Sequence, residues 1–144
     1  MTIKHNGLPR SLRLIKSAEF GAVFSAPKEK TFRCYSDYFS LSALKTENRG
    51  VVRFGFTVGK HNAHLSVERA LIKRLMRESA RKNRFDISEA LLGREYGLDI
   101  NIRLKCKMPS VDNGVLSKQT RKKLLQNDIE ALFFNFKRKI MKNP

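Results

Sequence analysis

Five cations carry the most pointed chemistry in this chain. Arg69, Lys73, Arg77 and Arg81 follow one another at intervals of four, with Arg74 between them. On a helix that spacing stacks side chains along one face at about 6 Å per step, close to the phosphate separation of a nucleic acid strand. Leu71, Ile72, Leu75 and Met76 fall on the opposite arc, so one helix can bury an apolar stripe and present a ladder of positive charge. Glu68 and Glu78 are the only acids between Gly55 and Arg84. Glu68 suits the first helical turn, where the dipole favours a carboxylate. A basic helix face is commonly just solvated surface with acids mixed in. A face this poor in acids repels itself, and a polyanion relieves that cost.

Other chemistries find little support. There is no Walker loop, no Gly-x-Ser-x-Gly and no pair of carboxylates at a catalytic spacing. His61 and His64 have no nearby acid or cysteine and read as solvated loop residues. Cys34 and Cys106 match no zinc spacing and read as reduced thiols, although the sequence leaves a single disulfide open. Asp99 stands alone in a basic strand, and one carboxylate does not make a nuclease metal site. The chain by itself is therefore not expected to be a catalyst, and its expected work is to hold RNA.

Composition agrees. Thirty Lys and Arg against thirteen Asp and Glu give a net charge of +17, which selects nucleic acid or an anionic membrane as partner. No apolar run approaches the ~20 residues of a membrane span, and the N-terminus shows no signal peptide. No membrane partner is expected, and the reduced thiols suggest a cytoplasmic protein. Hydrophobic residues make up 41% of 144, enough for one folded domain. Residues 1–10 read as a flexible basic arm, 11–140 as a single RNA-binding domain and 141–144 as a tail.

The elements that must position the ladder follow in order. Ser17 can cap a short helix, Ala18 to Ser25, with Phe20 and Phe24 sharing a face. Residues 32–44 read as one irregular strand, best defined from Tyr38 to Leu44. Lys45 to Gly50 looks like a hairpin into a second strand, Val51 to Val58. Val52, Phe54, Phe56 and Val58 point to one side of that strand, with Arg53, Gly55 and Thr57 on the other. Gly55 removes a side chain there, which can let a ligand backbone approach. A turn through Lys60 and His61 leads to the basic helix, capped by Ser66 and running to about Lys82. A short helix over Asp86 to Leu92 and a strand over Leu98 to Leu104 come next. A long helix follows from Ser117 to about Ile140, with Leu125, Ile129, Leu132, Phe136 and Ile140 as its buried stripe. The class is α+β, an α/β sandwich with element order α-β-β-α-β-α. The general rule makes the strand–helix–strand crossover right-handed.

The central stretch resembles the protein subunit of bacterial ribonuclease P. That family reads roughly R-x-G-L-x-V-x-K-K, a short loop, then R-N-R-I-K-R-x-x-R-E. Here the stretch runs from Arg53 through Gly55, Phe56, Val58, Lys60 and His61, then from Arg69 through Ala70, Leu71, Ile72, Lys73 and Arg74 to Arg77 and Glu78. The upstream Leu14 to Phe24 and the later Leu98 to Lys105 are also similar, so the likeness covers residues 8–140. Three positions depart: Ala70 and Leu71 replace the family's Asn and second Arg, and His61 its second Lys.

The resemblance implies a left-handed βαβ crossover, against the general rule. It also implies binding to the catalytic RNA of ribonuclease P and to the 5′ leader of precursor tRNA, assisting endonucleolytic removal of that leader. Hydrolysis would be performed by the RNA with Mg²⁺, with no metal site on the protein, and the chain would act as a monomer in the holoenzyme. Lys60, His61, Arg69, Lys73, Arg74, Arg77 and Arg81 would contact RNA. Phe20, Phe24, Arg53 and Gly55 would line the leader cleft. The family usually offers an aromatic residue where Ser42 stands. A general RNA-binding or ribosomal protein is the alternative function, and a DNA-binding helix is a more distant one.

Overall fold

Four strands and two long helices account for most of the computed structural model, which describes Val23, residues 28–109 and residues 117–142. The elements are β1 (Thr31–Tyr35), β2 (Phe39–Thr46), β3 (Val52–Thr57), α1 (Ser66–Ala90), β4 (Gly97–Leu104) and α2 (Lys118–Lys142), with a 3-10 turn at Lys28–Lys30 before β1. The strands form one sheet in the order β1-β2-β4-β3. β4 runs antiparallel to β2 and parallel to β3, so α1 is the crossover between two parallel neighbours.

Strict alternation gives the sheet two unlike faces. Phe32, Cys34, Phe39, Leu41, Ala43, Phe54, Leu98, Ile100 and Ile102 are buried on one face. The helices cover them with Ile72, Leu75, Met76 and Ile87 from α1 and Leu125, Ile129, Leu132, Phe133, Phe136 and Ile140 from α2. The whole expected stripe of α2 is buried, and Phe133 joins it against Phe54 at a ring separation of 6.5 Å. Ser117 caps α2, its hydroxyl accepting from the Thr120 amide at 3.1 Å.

Five expectations need correction. The single irregular strand over 32–44 is two strands, paired antiparallel from Thr31↔Leu44 to Tyr35↔Ser40. Their turn has no Gly or Pro; it is held from outside by Asp128 of α2. That carboxylate accepts from the Ser36 hydroxyl at 2.7 Å and from the amides of Asp37 and Tyr38 at 3.1 and 2.9 Å. The expected hairpin between β2 and β3 does not form, because β4 lies between them. The basic helix continues beyond Lys82 to Ala90 and absorbs the separate helix placed at Asp86, since no breaker occurs before Gly93, which takes a φ of 85°. Ser66 does not cap it: Leu65 is the capping residue and offers no side-chain bond. The element order of the described residues is consequently β-β-β-α-β-α. The helix expected at Ala18 to Ser25, with Phe20 and Phe24, lies outside the described residues apart from Val23, which is helical and fully buried.

Candidate RNA interface

The packing of α1 sorts its cations into two kinds. Ile72, Leu75, Met76, Ser79 and Ala80 fix the buried side, so Lys73, Arg74 and Arg77 emerge into solvent. None of these three makes a hydrogen bond or ion pair with the described residues. Arg69 is different. Its guanidinium donates to the carbonyl oxygens of Ala63 and His64 at 2.9 and 2.7 Å, tying the preceding loop to the first turn. Arg81 is half-buried, further along the same face.

The loop that carries Lys60 and His61 is docked as well as tied. The Asn62 side chain donates to the carbonyl of Leu104, and the Met108 amide donates to the carbonyl of Asn62 at 2.8 Å. Lys60 and His61 are both exposed beside the start of the cation strip.

The second candidate surface is the sheet face opposite α1 and α2, where Ser42, Asp99 and Asn101 are themselves buried. Cross-strand register brings Arg53 opposite Asp99 and Gly55 opposite Asn101 on β3 and β4, and Ser42 opposite Asn101 on β2. Arg53 donates to both oxygens of Asp99, at 2.9 and 2.7 Å, a bidentate clamp that fixes the guanidinium plane. The Asn101 amide donates to the Thr57 hydroxyl at 3.2 Å, while its carbonyl oxygen is buried with no partner among the described residues. Arg33 reaches the Ser42 hydroxyl at 3.2 Å. Buried polar groups arranged this way are expensive unless a ligand or a covering element completes their bonds.

The expected site residues therefore fall on two surfaces. Lys60, His61, Arg69, Lys73, Arg74, Arg77 and Arg81 belong to α1 and its entry loop. Arg53 and Gly55 belong to the polar sheet face, while Phe20 and Phe24 lie outside the described residues. Reasoning from sequence missed Arg33, Asn101 and the Arg53–Asp99 clamp. The alternation of Asp99, Asn101 and Arg103 signalled a polar face, but only the parallel β3–β4 pairing shows what faces what. It also missed Arg121 of α2, which is buried and bonded to Glu68 at 3.2 Å. Cys34 and Cys106 are both free thiols, and burial pushes the Cys34 thiol pKa up against the opposing pull of Lys139. No described helix is long and apolar enough to cross a membrane. Among the described residues no three His, Cys, Asp or Glu side chains gather as metal ligands.

Comparison with known proteins gives these surfaces a context. A family model, Ribonuclease P, matches residues 8–128. The ribonuclease P protein component of Ralstonia pickettii is 32% identical over 125 residues, covering 87% of this chain and 79% of that protein. That of Salmonella arizonae is 32% identical over 114 residues, covering 79% and 85%. The fold is shared with the RNase P protein of Staphylococcus aureus, at a TM-score of 0.59 and 18% identity, covering 87% of this chain and 94% of that one. A match over most of the length, with the cation ladder and its preceding strand inside it, shows that this chain belongs to the ribonuclease P protein family, whose members bind RNA and serve precursor-tRNA processing.

Proposed function

We propose that this chain docks α1 against the catalytic RNA of ribonuclease P and holds the 5′ leader of precursor tRNA on the polar face of its sheet. Cleavage belongs to the RNA. The observation that carries this reading is the strip of solvated cations at Lys73, Arg74 and Arg77, uncommitted to any described partner. Phosphates neutralised there release counterions, so affinity comes from charge and falls with salt. The sheet face suits a single strand: its half-buried polar side chains, Arg53 and Thr57, can bond to backbone or bases. Binding leader and ribozyme at once favours precursor over mature tRNA and lowers repulsion between the two RNAs.

Mg²⁺ is assigned to the RNA. The chain acts as a monomer in a cytoplasmic ribonucleoprotein. The test is reconstitution with bacterial ribonuclease P RNA, using precursor and mature tRNA side by side across a Mg²⁺ titration. The expected result is cleavage at lower Mg²⁺ and tighter binding of the precursor. Equal Mg²⁺ requirements with and without the protein would reject the reading.

A further inference from the structure

A groove of about 600 Å³ runs between the N-terminal turns of α1 and α2. Its floor is apolar, made of Leu65, Val67, Ala70 and Leu71. Leu65 is 59% and Val67 70% exposed, so the fold buries little of them. Four cations line its sides, Arg74 and Arg77 from α1 and Lys118 and Lys122 from α2, against one acid, Glu68, which is paired with Arg121. Arg121 lines the same groove at 7% exposure. Its Nη1 donates to Glu68 and to the carbonyl of Pro109, but its Nε–H has no acceptor among the described residues. Exposed aliphatic side chains among cations, with a buried donor left over, are costly in a free protein.

We propose that this groove receives an unstacked nucleobase of the RNA partner, with the flanking phosphates on its two sides. The inference rests on the RNA-docking reading above and adds a base-binding subsite to it. The charge arrangement favours a nucleotide over other occupants. A strand crossing the groove sets one phosphate on each cationic bank and its base over the apolar floor between them. The volume accommodates a base with its sugar, and Arg121 Nε–H is the donor available to a base or phosphate oxygen. Packing on aliphatic side chains reads no base identity, so the subsite is sequence-tolerant.

The chain contains no tryptophan, so Val67→Trp installs a single reporter at the groove in the full-length protein. Two probes are titrated at matched salt, octauridylate and an all-abasic octamer with the same number of phosphates. Ribonuclease P RNA is titrated alongside. Octauridylate and the ribozyme are expected to quench the tryptophan, and the abasic octamer to bind without quenching. A second variant, Leu65→Ser, keeps every charge and is expected to weaken ribozyme binding about three- to tenfold with an unchanged salt slope. Equal quenching by the abasic octamer would overturn the subsite, as would ribozyme binding without quenching in Val67→Trp and unweakened by Leu65→Ser. Quenching by an acidic amphipathic peptide in place of either RNA would also overturn it. Failure of the wild-type chain to bind ribozyme at all would overturn the docking reading together with the subsite, which separates the two failures.

Discussion

Replacing Arg74 and Arg77 together with alanine isolates the electrostatics of docking. Both side chains are exposed and make no bond to the described residues, so their removal leaves the core intact. Stability should stay within about 0.5 kcal/mol of wild type. Each phosphate contact contributes about 0.7 to 0.9 to the slope of log K against log salt, depending on whether the contacted RNA is single- or double-stranded. Two lost contacts flatten that slope by about 1.4 to 1.8, which weakens binding about 25- to 60-fold at 0.1 M salt and leaves it nearly unchanged toward 1 M. Arg69→Ala is the internal contrast. Its guanidinium holds two loop carbonyls, so its loss should cost about 1–3 kcal/mol of folding stability and change the salt slope less. The assay is filter binding to ribonuclease P RNA from 0.1 to 1 M salt, with urea unfolding of each variant. An unaltered slope in the folded Arg74→Ala/Arg77→Ala protein would refute the assignment of this face to RNA.

Three further outcomes follow from the packing. Asp128→Ala removes the acceptor of three bonds that shape the β1–β2 turn and should lower unfolding free energy by about 2 kcal/mol; a loss below about 0.5 kcal/mol in urea titration would mean the turn stands unaided. Gly97→Ala places a methyl group against the carbonyl oxygens of Asn48 and Val51; since these are backbone atoms, the cost should reach about 3 kcal/mol, and an alanine variant with wild-type thermal stability would contradict the close approach. Cys34 is buried with its pKa raised, so less thiolate forms there at a given pH than burial-free chemistry would allow. Iodoacetamide at pH 8 should therefore modify the partly exposed Cys106 well before Cys34 by peptide mass spectrometry, and equal rates would mean that the strand opens readily.

The sequence makes some of this architecture plain and hides the rest for identifiable reasons. The stripe of α2 and the buried side of α1 are legible because a helical period needs only local information, and each apolar position predicted there is buried or half-buried. The β1–β2 turn is illegible because its stabilising carboxylate sits about 90 positions away in the chain. The insertion of β4 between β2 and β3 is illegible because alternation reveals which residues share a face and says nothing about which strand lies next to which. The same holds for the site. A ladder of cations can be counted from spacing alone, but Arg69 turning back onto its own loop depends on where that loop lies. Asp99 reads as an isolated acid until the parallel register sets it against Arg53.

The position of β4 has a consequence for biosynthesis. It bonds to strands on both sides, yet it is translated after both of them. A nascent chain that has emerged only as far as Tyr96 lacks both the strand that β3 pairs with and the Asp128 carboxylate that holds the β1–β2 turn. Assembly must then wait for a late segment to slot between two early ones, a long-range event that slows folding and leaves unpaired strand edges in the interim.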